Sequence, residues 1–172
     1  MIRLAVRAAI IHRDRVLVVN AYPGQQSDLW CLPGGGVDPH ASLPDNLARE
    51  VLEETGLSIA VGDPFLVNEF HDPSRRFHQV EVHFRATLTG PDVLTLTDPE
   101  GVVNRARWVT RAELTTLGHK PDMLGDAIWG DGTARYDPLE RIVPRAVVGR
   151  TYSAACLTAV SDPTFMRKPR SS

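Results

Sequence analysis

The sequence predicts an α/β domain followed by a helical or irregular C-terminal extension, and three observations carry that expectation. Residues 4–11 and 16–19 are β-branched and apolar runs separated by a short polar turn, the pattern of a hairpin. Phe77–Leu88 alternates, with Val80, Val82, Phe84, Ala86 and Leu88 on one face and Gln79, Glu81, His83, Arg85 and Thr87 on the other, as in a strand with two unlike faces. Between them, Leu47, Ala48, Val51 and Leu52 recur at the helical period from Pro44 onward, at about 100° per residue.

Taken in order, the hairpin gives way to a loop over 21–28 that contains Pro23, Gly24 and Gln25. Residues 29–32 form a short apolar segment entering a glycine turn, Gly34 to Gly36. Ser42 suits the cap of the following helix, Pro44 its first turn and Gly56 its stop. A strand over 65–70 and a polar loop over 71–76 lead into the alternating strand, which Gly90 and Pro91 break. After a loop rich in Asp and Thr comes a strand over 105–109, and Thr110 with Glu113 has the spacing of a capping box opening another helix. Beyond Gly118 the signals weaken. Short helices are expected over 121–129 and 138–148, the second interrupted by Pro144, and the polar tail 162–172 is expected to fray. The expected division is a domain over 1–118 and an extension over 119–172 packed on it.

Composition narrows the function classes. The 172 residues, 42% apolar, suffice for one ordinary core, and no apolar run approaches the roughly 18 residues of a membrane span. The N-terminus is broken by His12, Arg13 and Asp14 and lacks a small-residue cleavage site, so it reads as a first strand rather than a signal peptide. Cys31 and Cys156 suggest no disulfide framework; buried, inert thiols and a cytoplasmic location are the expectation. A net charge of −2 excludes broad attraction to a nucleic-acid polymer. Only Lys120 and Lys168 are lysines, so phosphate contacts would fall to arginine.

The chemistry concentrates on the first helix. Glu50, Glu53 and Glu54 stand at i, i+3 and i+4 and project close together. Left alone they repel; a bound divalent cation turns that repulsion into coordination by hard oxygen ligands. The bland alternative is a solvated acidic helix face. The segment from Leu32 to Leu57 also resembles the Nudix box, G-x5-E-x7-R-E-U-x-E-E-x-G-U, where U is a bulky aliphatic. Gly35 opens it, and Arg49, Glu50, Val51, Glu53, Glu54, Gly56 and Leu57 fall on its positions. The preceding Leu-Pro-Gly and the segment from Arg107 to Leu114 look like the same family, so the resemblance covers about residues 3–117. One member departs: Ala41 stands where the first glutamate, which helps hold the loop in the family, belongs. Asp38, His40 and Asp45 are the neighbours able to compensate.

The resemblance implies an α/β/α sandwich with a mixed sheet and hydrolysis of a diphosphate linkage in a nucleotide-derived small molecule, by water attack on phosphorus assisted by Mg²⁺ or Mn²⁺. It implies Glu50, Glu53, Glu54 and the Gly34 carbonyl as metal ligands, with Arg49 orienting the carboxylates. For a catalytic base outside the box, Glu100 is the first candidate, against an ordinary loop glutamate. Glu81 is the second, against a solvent-facing or structural residue. On the substrate side, Arg75 and Arg76 form a basic loop tip, and Tyr22 and Phe70 are base-stacking candidates; a solvated turn and simple packing are the competing readings. Trp30 and Trp108 read as core. His71, His78 and His83 fit no zinc spacing, and alternation sends His78 and His83 to opposite faces. The substrate class spans nucleoside di- and triphosphates and nucleotide sugars such as ADP-ribose. The rival reading is a Nudix-fold binding or regulatory module, favoured only by Ala41. The segment after Gly118 is expected to cover the cleft or to form a homodimer contact.

Overall fold

The computed structural model describes residues 2–72 and 76–141. Strands β1 (Arg3–His12) and β2 (Arg15–Asn20) form the expected hairpin. Its two-residue turn holds Arg13 and Asp14 at φ 49° and 60°, the paired positive dihedrals that let a tight turn follow the twist of its strands. β3 (Trp30–Cys31), β4 (Ile59–Asp72), β5 (Phe77–Leu88), β6 (Ala106–Val109) and β7 (Arg135–Arg141) complete a mixed sheet in the order β3-β2-β1-β5-β4-β7, with β6 paired to β2. β1 runs parallel to β5 from Arg3 opposite Gln79 to Ile10 opposite Ala86. β4 is antiparallel to β5 and parallel to β7.

Among the described residues three helices cover the sheet: α1 (Leu43–Thr55), α2 (Arg111–Thr116) and α3 (Leu124–Trp129). Alternation along β1 and β2 divides the core. Val6, Ala8, Ile10 and Leu17 pack with Leu47 and Val51 of α1, whereas Ala9, Val16 and Val18 pack with Leu114, Leu124, Ala127 and Ile128 of α2 and α3. The result is the expected α/β/α sandwich. Trp30 and Trp108 are half-buried, one against each cluster. The local signals for α1 were sound: Ser42 Oγ accepts from the Asp45 N–H at 3.1 Å, and Gly56 ends the helix at φ 72°. Thr110 and Glu113 close the capping box of α2. Among the described residues no helix is long and apolar enough to cross a membrane.

Four expectations need correction. β4 is longer than 65–70, because Gly62, Asp63 and Pro64 are absorbed as a register irregularity between Val61 and Leu66. His71 and Asp72 accordingly belong to the strand, not to a loop. In place of a helix beginning at 138, β7 pairs along β4, an edge position that tolerates Pro138. On α1 the buried face is rotated from the apolar one: Leu52 is 50% exposed, while Glu50 and Glu54 are buried. Residues 142–172, including Cys156 and the remaining C-terminal elements, lie outside the described residues.

Candidate active site

The glycine turn hangs on the edge of β1. The Val6 N–H donates to the Gly35 carbonyl at 3.0 Å, the Ala8 N–H to the Pro33 carbonyl at 2.9 Å, and the Val37 N–H to the Leu4 carbonyl at 3.1 Å. Gly34 adopts φ 135°, and its peptide groups are held from two sides. Its N–H donates to Glu54 Oε2 at 2.9 Å, and its carbonyl accepts from Arg7 Nη1 at 2.6 Å. A Cβ on Gly34 would run into the Val6 carbonyl, and one on Gly35 into the Glu50 carboxylate. Glycine is needed because strand and carboxylate both approach the backbone here.

α1 presents its carboxylates to this turn. Glu50 and Glu54 are 6% and 9% exposed, and Glu53 is half-buried. Burial pushes the Glu54 carboxyl up to about 8; the nearby charges of Glu50 and Asp98 add to this, against Arg7 and the Gly34 N–H. Arg49 ties the group together. Its Nη1 donates to Glu53 at 2.9 Å, and its Nη2 meets Glu50 Oε1 and Asp38 Oδ2, each at 2.8 Å. Partial burial alone would lower the Arg49 pKa, but Glu50, Glu53 and Asp38 outweigh it and hold the guanidinium charged. The Asp38 N–H donates to Asn46 Oδ1 at 3.0 Å, and Asn46, 1% exposed, donates to the Ser42 carbonyl. Of the neighbours of Ala41, Asp38 therefore reaches Arg49. Asp45 accepts from the Ser42 hydroxyl, and His40 occupies a turn at φ 73°.

Beneath the turn lies the polar face of β5, which the alternation left facing solvent. Its first half is buried instead: Gln79, Glu81 and His83 are 2%, 7% and 1% exposed, while Thr87 at its far end stays exposed. The parallel register sets it beside β1, where Arg3 donates to Gln79 and Arg7 Nε donates to Glu81 at 3.0 Å. Gln79 also donates to Glu81 at 2.8 Å, and His83 Nε2 lies 3.6 Å from the same carboxylate. Burial would raise the Glu81 pKa, but Arg7 and then His83 hold it down to about 2. Burial pushes the Cys31 thiol up to about 12, which keeps it protonated.

The remaining candidates are spread more widely. Glu100 sits exposed in the loop before β6, its N–H donating to Asp98 at 2.9 Å, and its charge acts on Arg3 together with those of Glu81 and Glu50. Phe70 opposes Gln79 in the register and packs on Phe77, with ring centroids 5.7 Å apart. Asn20 Nδ2 donates to the Tyr22 carbonyl at 2.6 Å. Arg76 stays at the exposed hairpin tip at φ 54°, and Arg75 lies outside the described residues. Among the described residues no three His, Cys, Asp or Glu side chains converge as a ready metal cage. Arg3, Arg7, Gln79 and Asn46 were missed by sequence reasoning, whereas Asp38 was named there as a neighbour able to compensate for Ala41. The available signal was two arginines in an otherwise apolar strand, with alternate Gln and Glu residues in another.

The family model described as NUDIX domain matches residues 1–126. Over 62 residues the chain is 40% identical to a CTP pyrophosphohydrolase of Escherichia coli K12, covering 35% of this chain and 46% of that protein. Over 128 residues it is 29% identical to a putative mutator protein MutT4 of Mycobacterium tuberculosis, covering 68% of this chain and 50% of that one. The chain spans about half the length of these curated relatives. A NUDIX hydrolase structure from Nitrosomonas europaea shares the fold, with a TM-score of 0.64 at 18% identity over 81% of this chain and 78% of that one. With the family match running over most of its length and the box residues gathered at one glycine turn, the chain belongs to the NUDIX domain family.

Proposed function

We propose that this chain is a metal-dependent pyrophosphohydrolase that cleaves a diphosphate linkage in a nucleotide-derived substrate by attack of water on phosphorus. The observation that carries the reading is the set of three α1 carboxylates, two of them buried, facing a backbone that only glycine can supply. Burial lifts the Glu54 carboxyl to about 8, with the charge of Glu50 adding to it, and three carboxylates on adjacent turns of one helix are a hard-oxygen donor set suited to a divalent cation. Glu50, Glu53, Glu54 and the Gly34 carbonyl would hold Mg²⁺ or Mn²⁺. When bound, such a cation neutralises phosphate oxygens and lowers the pKa of its water.

The chain's own residues do the rest. Arg49 holds Glu50 and Glu53 in register, and Arg7 holds the Gly34 peptide. A carboxylate with a pKa of about 2 is a weak base, so Glu81 serves to lock Arg7, and Glu100 is the candidate base. Phe70, Tyr22, Arg75 and Arg76 remain the proposed substrate-side contacts. The name of the E. coli relative puts nucleoside triphosphates, CTP among them, first on a panel that also includes diphosphates and nucleotide sugars. Residues 119–141 are proposed to pack on the 1–118 domain, supported by the core positions of Leu124, Ala127 and Ile128; the rest of the expected extension, 142–172, lies outside the described residues.

Ala41 favours a second reading, a nucleotide-binding module with little turnover. Release of phosphate, pyrophosphate or nucleoside monophosphate from such a panel, with Mg²⁺, Mn²⁺ or chelator, separates the two. Metal-dependent turnover of any member supports the enzyme. Binding without turnover across the panel sinks it.

A further inference from the structure

We infer that Asp38 is a positioning residue for the metal-binding carboxylates, anchoring Arg49 from the loop in place of the glutamate absent at position 41. The inference rests on the metal-dependent reading above. Arg49 contacts three carboxylates, and only Asp38 among them lies outside the α1 set. Without it, the guanidinium would be balanced solely by Glu50 and Glu53, the same oxygens a divalent cation needs. A counter-ion on the loop lets Arg49 keep a partner while those carboxylates turn toward the cation. It also fastens the loop to the helix.

The Asp38 carboxylate is presented from a fixed backbone. Its N–H is taken by Asn46 at 3.0 Å, and Asn46 is almost wholly buried. The same Asn46 oxygen lies 3.4 Å from Arg49 Nη2, so one buried amide serves both ends of the ion pair. Pro39 follows directly, which biases Asp38 toward an extended backbone. Ala41 is itself exposed, in the bend before the Ser42 cap, and has no group to offer Arg49.

Magnitudes choose the experiment. The Asp38 side chain is 55% exposed and that of Arg49 33%, and ion pairs this open contribute little to folding. Their effect on a bound cation is larger, because partners just outside a metal's ligands typically govern its affinity by about 10- to 100-fold. The test is Mn²⁺ binding, followed by electron paramagnetic resonance, on the full chain and its Asp38→Ala, Asp38→Asn and Asp38→Ala/Ala41→Glu variants. Thermal unfolding in chelator runs alongside. Both single variants should bind Mn²⁺ about tenfold more weakly, with melting in chelator within about 5 °C of the parent. The double variant should recover most of the affinity. Affinity within about twofold of the parent in Asp38→Ala or Asp38→Asn overturns the role, and failure of Ala41→Glu to restore it overturns the relocation. A parent chain that binds no Mn²⁺ defeats the metal reading itself, a distinct outcome.

Discussion

Glu53 differs from its two neighbours on α1 by standing at the solvent edge, with a side chain 35% exposed and bound to Arg49 Nη1. On the proposed metal-dependent reading, Glu53→Gln keeps the side chain's shape and removes one anionic ligand, so kcat should fall by about 100-fold or more with the circular dichroism spectrum unchanged. Near-parental turnover would remove Glu53 from the metal set. Glu81 supports a different prediction, about pH. Its folded pKa of about 2 lies below the ordinary 4.5. The stability it contributes is therefore complete above pH 4.5 and is lost as pH falls toward 2. In denaturant titrations Glu81→Gln should begin about 3 kcal/mol less stable at pH 6, because Arg7 is left buried without its partner. It should then decline less steeply through that acid window, and parallel curves for the two proteins would refute the assignment. The box carboxylates were readable from spacing alone, since all lie on one helix. The pairing of Arg7 with Glu81 was not. Their meeting depends on which strands pair, and a charged residue in an alternating strand reads as solvent-facing until a second strand and a loop cover it.

At the scale of elements, the β1–β2 turn carries a removable cost. Arg13 sits at φ 49° without the freedom of glycine or the local hydrogen bonding of asparagine. Replacing Arg13-Asp14 by Asn-Gly should raise stability by about 1 kcal/mol, visible as a higher midpoint in urea with an unchanged slope. A lower midpoint would mean that the weak contacts of His12 and Arg13 with Asp92 matter more than the turn. Helix α1 and strand β5 were readable because cap, period and stop agreed within each. The first half of β4 was hidden by Gly62-Asp63-Pro64, whose local chemistry favours a turn but is overruled by pairing with β5. β7 has no periodicity of its own, and its form comes from the β4 edge on which it lies. The burial of Glu50 and Glu54 in place of Leu52 has a similar origin: the glycine turn lies against that side of α1, with Glu54 accepting from the Gly34 N–H.

For the molecule as a whole, the sandwich does not end where the motif does. Leu124, Ala127 and Ile128 belong to the α2/α3 side of the core, and the family match itself runs to residue 126. A chain ending at Gly118 should lose at least about 4 kcal/mol of stability from the two large side chains alone, seen as early or non-cooperative melting. A parental melting curve would show that the domain closes at 118. Divalent cation should act in the other direction. Mg²⁺ at 100-fold above its dissociation constant adds about 2.7 kcal/mol to stability, a gain that Glu50→Gln/Glu53→Gln should lack in differential scanning fluorimetry. The parallel pairing of β1 with β5 has one further consequence, and it concerns time. Arg7 and Glu81 lie 74 positions apart in the chain, with the whole motif between them. A growing polypeptide that has passed Leu57 already carries every box residue yet has no strand to lock Arg7. Closing that long loop is a late and slow event, so the candidate site comes into being only after the motif has been synthesised and two distant strands have met.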